Sequence, residues 1–236
     1  MENIIIFGAS GHGKVVADCI EKQGKFRIVG FVDSSRKRGL SHIGYPILGS
    51  EKDLPYIMSA YNIRGGVVAV GDNWSRKLFV DKINKIVPDF RFITVIHPSA
   101  VVGKNVCIGR GTVIMPGAII NAGSLIENHC FLNTKSSLGH DGIMGNFSSL
   151  ASNVCTGGNL ILGSFSAISL GCSVIENIEI GSHTVIGAGA LVLKHIPSNV
   201  VAYGSPAETI CERKIGQSYL GKNSHMAPMV PVIINR

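Results

Sequence analysis

Two different spacings of hydrophobic residues divide the chain. Up to residue 97, apolar runs alternate with segments of helical pattern; the runs are IIIF, RIVGFV, GGVVAVG and RFITVIH, and the segments are GKVVADCIEKQ, EKDLPYIMSAYN and NWSRKLFVDKINKIV. This alternation is typical of a parallel sheet with crossover helices. Residues 1–97 are therefore predicted to form a small α/β domain of the nucleotide-binding type.

A six-residue repeat begins after this region. Every sixth residue from Val102 to Val192 is aliphatic except Thr156, and a glycine follows in half of these hexads. An unbroken repeat of this kind predicts a hexapeptide parallel β-helix, in which three hexads make one triangular coil. Residues 18 apart then stack in successive coils, and the aliphatic ladder forms the core. We assign residues 98–205 to this β-helix and residues 206–236 to a C-terminal tail.

The first predicted strand leads into a glycine-rich turn, GASGHGK. Gly8, Gly11 and Gly13 allow a tight turn that brings backbone amides at a helix N-terminus close to a phosphate. Asp33 follows the second apolar run, where such domains place an acidic residue near a ribose or base. The spacing is not GxGxxG, so the loop alone is explained equally well by phosphate binding and by a simple turn.

Two titratable residues lie side by side within the repeat, in SSLGHDGIMG. His140 and Asp141 follow Leu138 at a corner of the predicted coil, and Gly158 occupies the same corner one coil later. A histidine that faces a glycine has free space and a backbone amide beside it, which a substrate carbonyl can use. The alternative is that both residues are solvated corner residues, which is the usual role of polar groups at such turns.

Composition narrows the classes of function. The 236 residues include 45% apolar residues and carry a net charge of +7, but no long Lys/Arg block with aromatic residues is present, so small phosphorylated molecules are favoured over nucleic acid. No signal peptide or membrane-spanning run is recognisable, which predicts a soluble cytoplasmic protein without membrane insertion. The six cysteines lack CxxC spacing and are expected to be reduced core residues, not metal ligands.

Several motifs in order carry a family resemblance: GASGHGK, GDNWSR, HPSA, NTKSSLGHD, the hexads and VAYGSPAE. Over about residues 3–210 the chain resembles nucleotide-sugar acetyltransferases of the sialic-acid O-acetyltransferase type, and most closely those that N-acetylate nucleotide-linked 4-amino-4,6-dideoxy sugars with acetyl-CoA. The resemblance implies a Rossmann-like domain followed by a left-handed β-helix, an exception to the usual right-handed crossover. It also implies a homotrimer with active sites between subunits.

The resemblance also implies roles for individual residues. His140 would be the general base, with Asp141 raising its basicity. Acetyl-CoA contacts would fall on Gly158, Leu170, Ala188 and Ser149. Contacts to the nucleotide-linked sugar would fall on Ser10, Gly11, His12, Asp33, Ser34, Gly71 and Asn133, and no metal is implied.

The chain departs from the family pattern at two places. Some relatives carry a second histidine, nine residues after the base, that contacts the acetyl oxygen; Ser149 stands there in this sequence. The oxyanion contact must then differ or come from backbone amides. The segment from Cys211 to Arg236, with MAPMVPVIINR, lies beyond the resemblance and is explained equally by an arm on a neighbouring subunit and by a frayed terminus.

Other classes of protein share the β-helix. A γ-type carbonic anhydrase needs three converging zinc-binding histidines, and His129, His140 and His183 do not fall at matching positions of the repeat. A non-catalytic assembly scaffold would explain the ladder but not the nucleotide-type domain before it. An O-acetyltransferase acting on sialic acid or another sugar shares the fold, base and cofactor, and it remains the main alternative.

Overall fold

The computed structural model describes residues 1–220, and its first part is an α/β domain. The strands β1, β2, β4 and β5 are parallel, β3 is antiparallel to β4, and the order across the sheet is β3-β4-β2-β1-β5. In chain order the elements are β1 Glu2–Phe7, α1 Gly11–Gln23, β2 Phe26–Val32, β3 Ser41–His42, β4 Tyr45–Gly49, a 3-10 turn Glu51–Asp53, α2 Leu54–Ala60, β5 Gly65–Val68 and α3 Asn73–Ile86.

Local chemistry defines the ends of the two long helices. The side chain of Ser10 accepts a hydrogen bond from the backbone N–H of Gly13 at 3.3 Å and caps α1, which ends at Gly24 with φ 68°. Asp72 caps α3 by accepting from the N–H of Ser75 at 2.8 Å. These side chains satisfy backbone donors that a first helical turn leaves unpaired. Both helices therefore begin immediately after a strand-end loop.

The second part is a parallel β-helix with three faces. Face 1 contains β7 Val101–Val102, β10 Ile119–Ile120, β13 Ser137–Leu138, β16 Cys155–Thr156, β19 Ser173–Val174 and β22 Leu191–Val192. Face 2 contains β8 Cys107–Ile108, β11 Leu125–Ile126, β14 Ile143–Met144, β17 Ile161–Leu162 and β20 Glu179–Ile180. Face 3 contains β6 Val95–Ile96, β9 Val113–Ile114, β12 Phe131–Leu132, β15 Ser149–Leu150, β18 Ala167–Ile168, β21 Val185–Ile186, β23 Val200–Gly204 and β24 Ala207–Glu212.

The predicted aliphatic ladder is the core of this β-helix. Its residues from Ile114 to Val192 are almost completely buried and pack as one cluster. The exception in the ladder, Thr156, is also buried, and its hydroxyl accepts a hydrogen bond from the N–H of Gly139 at 3.1 Å. A buried hydroxyl costs little when it is hydrogen-bonded, so the repeat tolerates the change.

The three faces differ in what covers them. On face 3 the outward side chains of Val113, Phe131 and Ala167 are buried, and Val113 and Phe131 share a core cluster with the N-terminal domain. On faces 1 and 2 outward aliphatic side chains stay exposed, among them Ile119 at 42% and Ile161 at 45%. The N-terminal domain thus occupies one side of the triangular prism and leaves two sides open.

Three expectations from the sequence need correction or qualification. The run RFITVIH was expected in the N-terminal sheet, and its first half does join that sheet, since Phe92 pairs with Gly66 of β5. Its second half is strand β6, which pairs with β9 on face 3 because the chain is already entering the β-helix. Face 3 also continues through β24, so one continuous sheet crosses both assigned boundaries, 97/98 and 205/206. The expectation that the six cysteines are core residues was wrong for three of them, since Cys107, Cys155 and Cys211 are exposed.

Within residues 1–220, no helix combines the length and the apolarity needed to span a bilayer. The segment MAPMVPVIINR lies outside the described residues.

Candidate active site

His140 and Asp141 lie at the corner between faces 1 and 2, which we call the histidine corner. His140 Nδ1 is 2.7 Å from Asp141 Oδ2, and both side chains are 63% exposed. Asp141 has a left-handed backbone with φ 56°, and the residues stacked at the same position in other coils are Asn105, Gly123, Asn159 and Asn177. The backbone therefore explains a short polar or glycine residue here. The backbone conformation does not account for a negative charge at this position. Asp141 is next in sequence to His140, which is the one histidine among the residues stacked at its own position of the coil.

Gly158 leaves the space beside the imidazole open. A Cβ atom added at Gly158 would lie 2.4 Å from His140 Nε2, much closer than a real contact. The Nδ1 atom faces the carboxylate while Nε2 faces this glycine. A histidine oriented in this way can hold a proton on Nδ1 and accept another on Nε2, as a general base does.

The glycine-rich loop of the N-terminal domain is held by Asp33. Its carboxylate accepts hydrogen bonds from the N–H of Ala9 at 2.7 Å and from the N–H of Ser35 at 2.8 Å. Burial raises the pKa of Asp33, but the hydrogen bonds from Ser35 and Ala9 outweigh it, so the pKa is lowered overall. A side chain at Gly13 would lie 2.2 Å from the Gly8 carbonyl oxygen, so this glycine is needed for close packing of the loop on α1.

Two adjoining cavities extend from this loop. The smaller, about 270 Å³, is lined by Gly8, Ser10, Asp33, Ser34 and Gly71, among others. The larger, about 350 Å³, runs between the N-terminal domain and face 3; we call it the groove. Its lining includes His12, Gly71, Asn133, Ser149, Leu170, Ala188 and Tyr219. Gly71 lines both cavities, so a ligand held at the glycine-rich loop can continue into the groove.

His12 brings a neutral imidazole to the groove. Its ring packs against Phe131 at 4.6 Å between centroids. Burial, together with the nearby charge of Arg76, lowers its pKa to about 4. Its Nε2 atom is buried and has no hydrogen-bond partner among residues 1–220. A buried polar atom without a partner is costly, and a ligand in the groove can satisfy it.

The structure brings together most, but not all, of the candidate residues. His12, Gly71, Asn133, Ser149, Leu170 and Ala188 line the groove, and Ser10, Asp33, Ser34 and Gly71 line the cavity at the loop. Gly11 lines neither, although it opens α1 and a Cβ there would meet nothing within 4 Å. His140, Asp141 and Gly158 lie at the histidine corner, which contributes nothing to the groove of the same subunit.

The corner between faces 2 and 3 carries a ladder of aromatic rings that sequence reasoning missed. Rings of His129, Phe147, Phe165 and His183 stack at centroid distances of 4.9, 5.5 and 4.6 Å, and Trp74 of α3 packs against Phe165 at 5.4 Å. The four stacked residues are spaced 18 apart, which is a signal that the repeat itself offered. We call this the aromatic corner.

Arg76 of the motif GDNWSR joins the aromatic corner to the groove. It is fully buried, and its guanidinium donates to the carbonyl oxygens of His129 and Phe147 in the β-helix and to that of Gly71 in the N-terminal domain. It also lies 4.1 Å from the centroid of Phe131. One side chain therefore fixes the Gly71 loop on the β-helix.

Comparison with known proteins relates this architecture to one family. Residues 3–83 match the family model described as the PglD N-terminal domain. The chain is 34% identical over 118 residues to UDP-N-acetylbacillosamine N-acetyltransferase of Bacillus subtilis, covering 48% of this chain and 50% of that protein. The match thus spans about half the length of that curated relative.

Solved structures extend the match to nearly the whole chain. Perosamine N-acetyltransferase from Caulobacter crescentus, in complex with CoA and GDP-perosamine, is similar with a TM-score of 0.83 and 30% identity over 90% of this chain and 98% of that one. The chain belongs to the hexapeptide-repeat nucleotide-sugar N-acetyltransferases. The acetyltransferase domain of PglB from Neisseria gonorrhoeae has a TM-score of 0.81 and 28% identity over 89% of this chain and 100% of that domain.

Membership in the nucleotide-sugar N-acetyltransferase family confirms the predicted fold class. The N-terminal domain is Rossmann-like, and the β-helix is of the left-handed type. The structures of the Caulobacter protein and of the Neisseria domain are known with bound CoA and acetyl-CoA, respectively.

Proposed function

We propose that this protein transfers the acetyl group of acetyl-CoA to the amino group of a nucleotide-linked 4-amino-4,6-dideoxy sugar, for bacterial surface glycan biosynthesis. The observation that carries the proposal is the exposed His140–Asp141 pair, 2.7 Å apart, beside the open space at Gly158. Two relatives are N-acetyltransferases whose descriptions name a nucleotide-linked sugar, UDP-N-acetylbacillosamine in one and GDP-perosamine in the other. Acetyl-CoA and nucleotide sugars are both cytoplasmic metabolites, so we place the reaction in the cytoplasm.

The general base acts at the amine. As the amine nitrogen bonds to the thioester carbon, His140 Nε2 accepts its proton, and Asp141 stabilises the imidazolium that forms. The carbonyl electrons move onto oxygen in the tetrahedral intermediate. When that intermediate collapses, the C–S bond breaks, the amide forms and the proton passes from the imidazolium to the thiolate of CoA. General-base catalysis contributes about 10²- to 10⁴-fold, and alignment of the two substrates supplies much of the rest.

The other site residues divide between the two substrates. Ser10, Gly11, Asp33 and Ser34 hold the nucleotide at the glycine-rich loop, and Gly71 lies where the loop meets the groove. His12 and Asn133 contact the sugar within the groove. Gly158, Leu170, Ala188 and Ser149 form the path of acetyl-CoA, and the chemistry needs no metal.

A complete site requires two subunits. The groove lies against face 3, whereas His140 lies at the opposite corner of the triangular prism. Exposed aliphatic residues on faces 1 and 2, including Ile119 and Ile161, flank the histidine corner and are suited to burial against a neighbour. Closed cyclic symmetry is the usual arrangement for such contacts, so we propose a homotrimer with His140 of one subunit facing the groove of the next.

Subunit mixing tests the shared site. We would combine His140→Ala protomers with Ala188→Trp protomers, in which the larger side chain should block the groove, after reversible dissociation and after each variant alone is shown to be inactive. Random reassembly in a cyclic trimer gives about a quarter of the sites an intact histidine corner and an intact groove. Recovery of activity toward that level supports the shared site. No recovery from verified mixed trimers would mean that each subunit contains a complete site.

Acceptor screening tests the activity itself. UDP-, dTDP- and GDP-linked 4-amino sugars are incubated with acetyl-CoA, and the release of free thiol is measured. We expect one nucleotide series to be turned over, with a product that resists hydroxylamine because it is an amide. A hydroxylamine-labile product would instead identify a sugar O-acetyltransferase, and no turnover of any amino sugar would contradict the proposal.

A further inference from the structure

Residues 213–220 fold back across the seam between the two domains, and we call them the C-terminal strap. The backbone N–H of Arg213 donates to the Asn199 carbonyl oxygen at 2.7 Å, and its Nη1 donates to the His183 carbonyl oxygen at 2.8 Å. Gly216 lies against the indole of Trp74, where an added Cβ would be 2.8 Å from Nε1. The strap is therefore seated on both the β-helix and α3.

The strap brings a hydroxyl into the groove. Tyr219 Oη lies 3.4 Å from Ser149 Oγ on face 3 and 3.4 Å from the Gly71 carbonyl oxygen of the N-terminal domain. The Arg213 guanidinium lies 5.7 Å from the centroid of the Tyr219 ring. Tyr219 thus bridges the two domains while lining the groove.

The position of these hydroxyls matters for the acyl group. Under the proposed function, acetyl-CoA binds along Leu170 and Ala188, and the nucleotide sugar binds along Gly71. The thioester must therefore lie where these two binding paths meet. Ser149 and Tyr219 line the groove at that meeting point. Burial raises the pKa of Tyr219, so its phenol keeps its proton at neutral pH.

One arrangement of the hydroxyl protons of Tyr219 and Ser149 leaves a hydrogen-bond donor available to a ligand. The single proton of Tyr219 Oη has two acceptors at equal distance, the Gly71 carbonyl oxygen and Ser149 Oγ; when it is donated to Ser149 Oγ, the proton of Ser149 is free to be donated to a ligand oxygen. Without that donor, the Ser149 hydroxyl has no side chain among residues 1–220 that holds it in this orientation. The acetyl carbonyl oxygen gains negative charge as the amine adds, and it is the ligand atom that benefits most.

We propose that Tyr219 is a positioning residue that turns the Ser149 hydroxyl toward the carbonyl oxygen of the bound acetyl group. No proton is transferred by this pair; Ser149 donates a hydrogen bond that strengthens as the oxyanion forms. The inference rests on the proposed function for the placement of the acetyl group, and it adds a residue that lies outside the segment resembling the family.

The test compares the binding of acetyl-CoA with that of CoA, which differ only in the acetyl group. Trp74 is the single tryptophan of the chain, so titrations can be followed by its fluorescence. We expect wild-type protein to bind acetyl-CoA about 2- to 10-fold more tightly than CoA, the worth of one neutral hydrogen bond. Tyr219→Phe, Ser149→Ala and the double variant should all lose this preference, to the same extent.

Kinetics with the best acceptor give a second readout. In Tyr219→Phe we expect kcat to fall about tenfold, while the KM for the acceptor stays within twofold, because the donor acts mainly on the oxyanion. Tyr56→Phe is the matched control, since Tyr56 is an exposed tyrosine on α2 and does not line the groove. Unchanged Trp74 emission in the absence of ligand shows that the strap of the variant is still seated. If the emission changes, the result for Ser149→Ala decides whether the hydrogen bond affects kcat.

Three results would overturn the inference. They are equal affinity of the wild-type protein for acetyl-CoA and CoA, an unchanged preference in both single variants, and faster turnover by Tyr219→Ala, which would make the strap an obstruction. If wild-type protein acetylates no amino sugar, the proposed function fails, whereas the affinity ratio still decides the role of Tyr219.

Discussion

Two corners of the same β-helix carry histidines with opposite surroundings. At the histidine corner, His140 is 63% exposed and has a carboxylate partner at 2.7 Å. At the aromatic corner, His129 is 4% exposed, stacks on Phe147 and has a buried Nδ1 that no atom of the described part of the chain, residues 1–220, hydrogen-bonds. Burial, with the charges of Arg76 and Arg110, lowers the pKa of His129 to about 3.

The difference shows that the surroundings determine the role of each histidine. His129 stays neutral at physiological pH and contributes an apolar ring to the packing of α3 and the N-terminal domain. His140 is accessible to a substrate and has the Asp141 carboxylate 2.7 Å from its Nδ1 atom. We therefore expect changes at the histidine corner to affect catalysis and changes at the aromatic corner to affect stability.

The largest expected effect is that of His140→Ala. Removing the base should lower kcat by roughly 10²-fold or more and leave the KM for acetyl-CoA nearly unchanged, since the group acts in the transition state. The melting temperature should not change because the side chain is exposed. Steady-state kinetics at saturating acceptor measure this. A kcat near the wild-type value would show that His140 and Asp141 are surface residues without a role in catalysis and that another group is the base.

His129→Ala should have the converse effect. Loss of one ring from the stack should lower the free energy of unfolding by about 2–3 kcal/mol, with kcat reduced far less than in His140→Ala. His129→Phe is the matched control, because Phe147 and Phe165 already occupy this corner position with the same backbone conformation. Denaturant unfolding measures the difference. Wild-type stability in the alanine variant would show that the ladder does not hold the domains together.

Gly158→Ala tests the open space beside the base. The new methyl group would lie 2.4 Å from His140 Nε2 and must displace the imidazole, which should lower kcat about tenfold. Gly158 is not among the residues with positive φ, so the fold should tolerate alanine. The control is the unfolding midpoint, which should match that of wild-type protein. Full activity together with wild-type stability would show that this orientation of the imidazole is not the reactive one.

A smaller effect should appear in the pH dependence of stability. His12 and His129 have pKa values lowered to about 4 and about 3, below the ordinary value of 6.5 in an unfolded chain. The unfolded state therefore binds more protons below pH 6.5, and the folding equilibrium should weaken as pH falls from 6.5 toward 4, by up to about tenfold per pH unit for each histidine.

The control for this pH dependence is His129→Phe, which should remove the contribution of one histidine from the slope. Urea midpoints measured between pH 7 and pH 5 provide the comparison, before carboxylates dominate acid unfolding. A variant with the full wild-type slope would mean that His129 takes up a proton in the folded protein as readily as in the unfolded chain.

The sequence alone determined the architecture because the β-helix is a local repeat. Each hexad specifies its own inward residue, and stacking at 18 residues follows from three hexads per coil, so no long-range information is needed. The α/β domain was predictable for a similar reason, since its strands and helices differ in hydrophobic period. The corner placement of His140, Asp141 and Gly158 also followed from counting residues.

Only the tertiary structure decided how these parts form a site. Nothing in the repeat shows that the N-terminal domain covers face 3 and leaves faces 1 and 2 open, because outward residues on all three faces include aliphatic ones. The bridge from Tyr219 to Ser149 and Gly71 joins residues far apart in sequence, and Tyr219 belongs to no repeat or motif. Arg76 likewise looks like an ordinary helix residue until its carbonyl partners in both domains are known. Such contacts depend on docking of the domains, and local patterning carries no information about it.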